Sequence, residues 1–433
     1  MWCMDTIKKI IKLQVSIKKL IGVYIGILLI CVLALVLPAM TDKQEKDYWI
    51  EISSEKLESQ GQYPYVAVEG NPYFVLDNFS ESIVLNCIYN ANADQVWKDT
   101  LAQKRFAVSE EEITNLRILA TGGTGEFGSD GWQRMLPYWM GCRSFLRLLL
   151  NVTNYMTIRG IIQMVVYLLA AAALALFADR TNWRQALFLG LAAAMMNLPT
   201  ASSIMAQALM FMITFINIII VSRSKEKKWW GYLFFAGGMV TVYFDWFTFP
   251  VMTYCVPMLA VLCIEEKDYS EETCYLNHIF EKGVFWCLGY ILMLLSKTAI
   301  SGIFAGNEAM SYFLGRVTSN AGVAGGNEES FIVMAKEALL KCFNGILPFA
   351  FTGRKVMVII MAVVVVIVIF QVCRRKNLLL DGCIAFSGIL VPVLWITVFR
   401  HFYEIHYWFG YRVLFSAVFA ILLLIGRKAE RKV

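Results

Sequence analysis

The sequence predicts an all-α polytopic membrane protein with about ten transmembrane helices and a large first extracytoplasmic loop. Hydrophobic residues make up 58% of its 433 residues, and the mean hydropathy is +0.58. A soluble chain of this size could not bury that much apolar surface. Apolar runs of about 18 residues or more recur along the chain, and each approaches the ~20 residues that cross a ~30 Å hydrocarbon core.

The apolar runs are the predicted membrane spans. They lie at residues 20–39, 160–178, 185–199, 202–221, 230–247, 248–264, 283–304, 356–373, 379–399 and 407–426. The runs at 185–199 and 248–264 are short and border Pro199 and Pro250, which indicates tilted helices or helical hairpins with their neighbours.

The positive charges indicate the orientation. Five lysines precede the first span, but that span is too long for a signal-peptide core and LVLPAMTDK offers no clean cleavage site. We therefore expect an uncleaved first helix, with both termini cytoplasmic after ten spans. The basic segments at 222–228, 374–376 and 427–433 then lie inside the cell. The net charge of +6 reflects this topology and predicts no nucleic-acid partner.

This topology divides the chain into five parts. They are a basic N-terminus with the first helix (1–39), an extracytoplasmic loop with a small cap and an interfacial helix (40–158), spans two to seven (159–304), a second extracytoplasmic loop with an amphipathic helix (305–355), and spans eight to ten with a basic cytoplasmic tail (356–433). We expect the second loop to begin as a flexible glycine- and asparagine-rich tract. Cys87 and Cys142 share the first loop and are candidates for a disulfide.

Ionisable side chains collect at the predicted outer level of the membrane. They are Asp245 in VYFDWFTFP, Lys297 in MLLSKTAISG, and Arg400, His401, Glu404, His406 and Arg412 in VFRHFYEIHYWFGYR. An ionisable group at membrane depth costs several kcal/mol (of order 3) unless it is paired or hydrated. The sequence therefore predicts a polar cavity that faces the outer leaflet.

Two interpretations of these residues stay open. In the structural one, Asp245 and Lys297 form an ion pair between spans, and Arg400 and His401 lie at the water interface within an aromatic belt. In the functional one, a phosphate group is bound at this level. Its candidate ligands are Lys297, Arg400 and Arg412, with Asp245 setting their geometry and with His401 and His406 beside them.

Asp77, in LDNFSESIVLN, is the candidate catalytic residue of the first loop. A loop carboxylate is ordinarily solvated, but this one precedes a helix-like stretch. It is therefore also a candidate general base for an acceptor hydroxyl, or a ligand for a divalent cation such as Mg²⁺ or Mn²⁺. His401 and His406 lack the spacing of paired helical metal ligands, and TGGTGEFGSDG lacks the lysine of a phosphate-binding loop.

The first helix, the large outer loop with an early carboxylate and the many-helix bundle resemble the GT-C membrane glycosyltransferases. LDNFSESIVLN, YFDWFTFP and RHFYEIHYWFGYR are also similar to segments of bacterial membrane proteins that accompany surface-polysaccharide enzymes. The resemblance implies a polyprenyl-phosphate sugar donor, with Asp77 as base or metal ligand and Lys297, Arg400 and Arg412 near the donor phosphate. In many family members the acidic residue follows the first span more closely than Asp77 does.

Three functions follow as expectations. The first is transfer of a sugar from a polyprenyl-phosphate donor to an acceptor on the outer face of the cell membrane, in assembly of surface polysaccharide or glycoconjugate. The second is a transporter or flippase of a lipid-linked or anionic substrate, which requires polar residues through to the cytoplasmic side. The third is a non-catalytic envelope-assembly protein. The sequence carries no signal for the sugar, the acceptor or the oligomeric state.

Overall fold

The computed structural model describes residues 16–40, 44–66, 68–91, 95–224, 226–268, 273–306, 308–323, 330–346, 363–364, 366–367 and 378–427. Within these residues the protein is almost entirely helical. Helix α1 (Ile17–Ala39) comes first. The chain then forms a region that we call the cap, which is built from short elements, before it enters the main helical bundle.

The cap consists of helices that pack on one another and on one end of the bundle. They are α2 (Gln44–Gln60), α3 (Asn78–Asn90), α4 (Val96–Leu101), α5 (Glu112–Ala120) and α6 (Arg143–Leu149). A two-stranded antiparallel ribbon, β1 (Lys104–Phe106) with β2 (Trp132–Arg134), pairs Lys104 with Arg134. The strand-like segments YPYVAVEG and FVLDNF are joined, among their described residues, by a single bridge between Tyr65 and Val75.

The bundle follows the cap along the chain. Its helices are α7 (Tyr155–Arg180), α8 (Trp183–Met195), α9 (Leu198–Ser202), α10 (Met205–Arg223), α11 (Trp230–Phe244), α12 (Met252–Asp268), α13 (Thr273–Ala305), α14 (Glu308–Asn320), α15 (Phe331–Ile346), α16 (Leu378–Val398), α17 (Arg400–Ile405) and α18 (Tyr407–Gly426). A π-helical turn interrupts α16 at Phe386–Leu390, and a 3-10 turn interrupts α18 at Tyr411–Leu414.

Six helices are long and apolar enough to cross a membrane. They are α1, α7, α10, α13, α16 and α18, with α13 counted from Tyr275. Their burial differs, because 72% of the apolar window of α10 but only 17% of that of α1 is buried. Helices that are apolar on every side and buried form the centre of a bundle. We therefore place α10 and α18 centrally, with α1 at the lipid-facing periphery.

The other predicted spans are shorter than expected or lie outside the described residues. Helices α8, α11 and α12 contain 13, 15 and 17 residues. At 1.5 Å per residue, α8 extends only about 20 Å. The predicted span at 356–373 falls almost wholly outside the described residues. The multi-pass helical class is therefore supported, and the number of ten crossings stays a prediction.

The second predicted loop contains two helices among its described residues. Helix α14 forms where the sequence suggested a flexible tract. Helix α15 packs against α17 and the start of α18, and Lys341 on its polar side lies 3.3 Å from the Glu404 carboxylate. The segment RHFYEIHYWFGYR is therefore covered by α15.

The end of the bundle opposite the cap is closed by ion pairs around two adjacent glutamates of α12. Glu265 is fully buried, and its Oε1 lies 2.9 Å from Lys227 Nζ. Glu266 and Asp381 both bind the Arg427 guanidinium, each at 2.6 Å. Lys267 donates to the Arg180 carbonyl at the end of α7. These contacts tie the ends of α7, α12, α16 and α18 to the turn before α11.

Helices α11 and α13 cross in close contact, because at two points a glycine of one helix lies against the backbone of the other. A Cβ at Gly238 would overlap the Trp286 carbonyl, and one at Gly289 would overlap the Phe235 carbonyl. Small residues at such crossings let helix backbones approach closely in membranes.

We expect Gly238→Ala to lower the free energy of unfolding by about 1–3 kcal/mol, since the added methyl group meets backbone that cannot move aside. Gly302→Ala is the matched control on α13, because a Cβ there meets nothing within 4 Å. Thermal unfolding of both purified variants in one detergent measures the difference. Equal unfolding midpoints for Gly238→Ala and the wild type would show that the crossing is not tight.

Candidate functional site

Asp77 is the N-terminal capping residue of helix α3, which belongs to the cap region. Its Oδ1 accepts a hydrogen bond from the Ser80 backbone amide at 3.0 Å, so it is the N-cap of α3. The Ser80 side chain is a second hydrogen-bond partner of the carboxylate. The side chain is buried, and burial raises its pKa above the ordinary value of 3.8, although the Ser80 hydrogen bonds and the nearby Arg159 act in the opposite direction. A buried, positioned carboxylate with a raised pKa is suited to accept a proton.

Arg159, at the start of α7, holds the segment around Asp77 against the bundle. Its Nη2 donates to Asn78 Oδ1 at 2.6 Å, and its Nη1 lies 3.5 Å from Gln60 Oε1. Asn78 in turn donates to the Gly61 carbonyl at 2.9 Å. The residue next to Asp77 is thereby fixed both to a transmembrane helix and to the end of α2.

Glu81 joins the same network one turn along α3. Its Oε1 accepts from the Met205 backbone amide at 2.8 Å, and its Oε2 lies 3.6 Å from Arg159 Nη2. Met205 is the first residue of α10, so the carboxylate satisfies a free amide at a helix N-terminus. Burial nevertheless outweighs these attractions and raises the pKa of Glu81 to about 7.

Aromatic rings lie near Asp77, whose charge acts on the Tyr63 hydroxyl. Tyr63 stacks on Phe79, with ring centroids 6.1 Å apart, and meets the edge of Trp408 at 5.6 Å. A second contact between cap and bundle involves Tyr73, whose ring lies against Tyr407 and Tyr411. The segment RHFYEIHYWFGYR therefore reaches the cap through its aromatic residues.

Asp245 lies in the turn between α11 and α12. Its carboxylate accepts from the Thr248 backbone amide at 3.0 Å and from the Thr248 hydroxyl. The Thr248 carbonyl accepts from the Tyr403 hydroxyl at 2.7 Å, which brings α17 to this turn. Asp245 therefore belongs to the same neighbourhood as the histidine-containing segment, where it orders a turn.

Arg400 and His401 lie at the start of α17 near Gly322. The Arg400 guanidinium lies over the Phe331 ring at 4.3 Å, and its Nη2 is 3.4 Å from the Gly322 carbonyl. His401 Nδ1 is buried and has no hydrogen-bond partner among the described residues. His406 stacks on Phe409, and burial, followed by the charges of Arg316 and His401, lowers its pKa to about 4. A neutral His406 adds no positive charge to this end of the site at neutral pH.

Lys297 and Arg412 each donate a hydrogen bond to a backbone carbonyl. Lys297 is fully buried, and its Nζ donates to the Leu101 carbonyl at the end of α4, at 2.6 Å. Arg412 is also fully buried. It donates from Nε to the Met196 carbonyl at 3.0 Å and from Nη1 to Gln207 Oε1 at 2.8 Å. A phosphate ligand at either residue would have to displace these partners.

The structure thus brings together some of the predicted residues and not others. Asp77 is linked through Tyr63 and Trp408 to the segment that holds Arg400, His401 and His406, and Asp245 is linked to that segment through Tyr403. Lys297 lies apart, beside Trp139. Within the described residues Asp245 and Lys297 form no ion pair. Cys87 and Cys142 are both free and buried, so the expected disulfide is absent.

No metal site is evident in the part of the chain that the structure describes. No three His, Cys, Asp or Glu side chains converge there. Asp77 and Glu81 share a helix, but Glu81 already accepts from a backbone amide and faces Arg159. The two carboxylates alone do not fit a divalent cation, which requires a fuller set of oxygen ligands.

Three residues of the site, Arg159, Tyr63 and Glu81, were not among the candidates selected from the sequence. Glu81 stands four residues after Asp77, which places it one helical turn away. That spacing was the one available signal. The hydrogen bond between Arg159 and Asn78 leaves no local signal in the sequence, because the two residues are 81 positions apart.

Comparison of the chain with known protein families, with curated proteins and with solved structures finds no match.

We expect Arg412→Lys to lower the free energy of unfolding by about 1–3 kcal/mol, because lysine cannot bind the Met196 carbonyl and Gln207 together. Arg316→Lys is the control, since Arg316 is exposed. Thermal unfolding measures both variants. If Arg412 served only as a phosphate ligand, Arg412→Lys would keep the wild-type midpoint.

Glu81 should make stability depend on pH. Because its pKa is raised from 4.5 to about 7, the folded protein retains a proton that the unfolded chain releases between these values. Stability from this group is therefore full below about pH 4.5 and falls as the pH rises to about 7.

The variant Glu81→Gln keeps an acceptor for the Met205 amide but cannot ionise. Between about pH 5 and pH 7 we expect its unfolding midpoint to fall less than that of the wild type. Parallel melting curves across this range measure the difference, and identical slopes would exclude a raised pKa at Glu81.

Proposed function

We propose that this protein is an integral membrane glycosyltransferase of the GT-C type. In this proposal it moves a sugar from a polyprenyl-phosphate donor to an acceptor on the outer face of the cell membrane. The cap lies outside the cell and both termini lie inside. The multi-pass helical class and the position of the cap at one end of the bundle are compatible with this assignment.

The observation that carries the proposal is the buried Asp77 carboxylate, which is held in place by the helix that it caps. Its Oδ1 accepts from the Ser80 amide, and burial raises its pKa. Arg159 and Asn78 hold the adjacent backbone. A base must be positioned before it can act, and here helix capping supplies that positioning.

The chemistry assigned to Asp77 is removal of one proton. The acceptor hydroxyl oxygen attacks the anomeric carbon of the donor sugar, and its proton passes to the Asp77 carboxylate. The bond between the anomeric carbon and the phosphate oxygen breaks, and its electron pair leaves with the polyprenyl phosphate. No metal is included in this step, because the described carboxylates do not form a metal site.

The departing phosphate gains negative charge, which a nearby cation would stabilise. Arg400 is the best placed of the predicted phosphate ligands. It has no carboxylate partner among the described residues, and it contacts only an aromatic ring and one carbonyl. Lys297 and Arg412 are less suited, because their donors already bind backbone and side-chain oxygens within the bundle.

The ion pairs at the opposite end favour chemistry at one face over transport. Alternating access would require that end to open. Opening would separate Glu265 from Lys227 and Arg427 from both of its carboxylates. Each separation would lose the attraction between the paired charges, so these contacts resist opening.

We expect Asp77→Asn to fold normally and to lose transfer activity by a factor of about 10²–10⁴. Asparagine caps a helix about as well as aspartate, so the substitution removes the base and keeps the cap. The assay uses protein in lipid nanodiscs with polyprenyl phosphate carrying radiolabelled glucose, galactose, mannose or N-acetylglucosamine. Label transferred to added saccharide acceptors is the measured product.

Asp77→Ala is the companion variant, because it removes both the base and the cap. It should lose activity and also about 0.5–2 kcal/mol of stability. Full activity in Asp77→Asn would reject Asp77 as the base. Absence of transfer by the wild-type protein with every donor tested would reject the transferase itself.

A further inference from the structure

Three aromatic side chains form a partly open surface beside Asp77, which we call the aromatic shelf (Tyr63, Phe79 and Trp408). The rings of Tyr63 and Phe79 are nearly parallel, with an interplanar angle of 18°, and Trp408 meets Tyr63 edge-on. Tyr63 remains 46% exposed even so. A large aromatic side chain that remains this open at a buried carboxylate offers a binding face.

Polar groups lie beside the shelf. The Asp77 carboxylate is a fixed hydrogen-bond acceptor, and the Tyr63 hydroxyl is close enough to feel its charge. Burial raises the pKa of that hydroxyl, and the carboxylates of Asp77 and Glu112 raise it further. The phenol therefore stays protonated and can donate a hydrogen bond. An aromatic face with a fixed acceptor and a donor complements a ring that carries hydroxyl groups.

The local charge selects among sugars. The two carboxylates nearest Tyr63 are Asp77 and Glu112, and the cation closest to Glu112, Arg105, is already paired with it. Arg159 is likewise engaged with Asn78 and Glu81. Among the described residues both cations near the shelf are therefore already paired, and neither is left to bind a uronate or a phosphate-bearing ring. The shelf accordingly suits an uncharged acceptor, and the donor phosphate is placed elsewhere.

We infer that the aromatic shelf binds a neutral pyranose ring of the acceptor, stacked on Tyr63 and Trp408 and hydrogen-bonded to the Asp77 carboxylate. The acceptor would accordingly be a saccharide. Its designation as acceptor rests on the proposed transferase function, whereas binding of a neutral sugar at this position does not. The site would place an acceptor hydroxyl directly at the proposed base.

Binding can be measured without turnover by saturation-transfer difference NMR. Protein in lipid nanodiscs, free of sugar-headed detergent, is titrated with methyl glycosides of glucose, galactose, mannose and N-acetylglucosamine. We expect at least one of them to bind and methyl glucuronide to bind more weakly. Tyr63→Ala should weaken binding about tenfold, since an aromatic stacking contact contributes about 1 kcal/mol or more.

Tyr63→Phe is the matched comparison, because it keeps the ring and removes only the hydroxyl donor, and it should weaken binding by about threefold, or about 0.7 kcal/mol, which is less than Tyr63→Ala. Trp408→Leu tests the other side of the shelf and should also weaken binding. Failure of every neutral glycoside to bind, or unchanged affinity in both Tyr63→Ala and Trp408→Leu, would overturn the inference. The wild-type protein could bind a neutral glycoside, lose affinity in Tyr63→Ala and Trp408→Leu, and yet transfer no sugar. That result would support the inference and reject the transferase function.

Discussion

Backbone carbonyls released where helices end inside an apolar bundle must find donors, and this requirement organises the structure. In lipid no water is present to satisfy them, and each unpaired group costs several kcal/mol (of order 3). The Met196 carbonyl, at the break between α8 and α9, accepts from Arg412 and from the Tyr411 hydroxyl. The Leu101 carbonyl, at the end of α4, accepts from Lys297 and Ser301. These long-range bonds join cap, helix breaks and bundle.

The same requirement accounts for several of the buried ionisable residues. Where helices end or break, carbonyls and amides lack partners within the helix, and long basic side chains reach them from neighbouring helices. Glu81 performs the reverse task, because its carboxylate binds the amide at the start of α10. Asp77 does the same for α3, because its Oδ1 accepts from the Ser80 amide. Its burial beside the partly exposed Tyr63 is what makes it a candidate base as well.

Much of the helical framework could be predicted from the sequence, because apolar length is a local property. The runs near 20–39, 160–178, 202–221, 283–304, 379–399 and 407–426 all correspond to long apolar helices. The candidate site was less predictable. Lys297 and Asp245 looked equally unusual among apolar neighbours, and only the folded chain assigns one to the Leu101 carbonyl and the other to the Thr248 turn. Arg159 was overlooked because a basic residue at the edge of a span needs no special explanation.

The sequence by itself determined that this is a helical membrane protein with ionisable residues near the ends of its spans, since both follow from composition and order along the chain. Only the tertiary structure decided the partner of each charge. Burying a lysine or an arginine costs free energy in any sequence, but the carbonyl that accepts its hydrogen bond belongs to a distant segment. The nearest case, Lys297 and Leu101, already spans 196 residues, and no local pattern encodes such a distance.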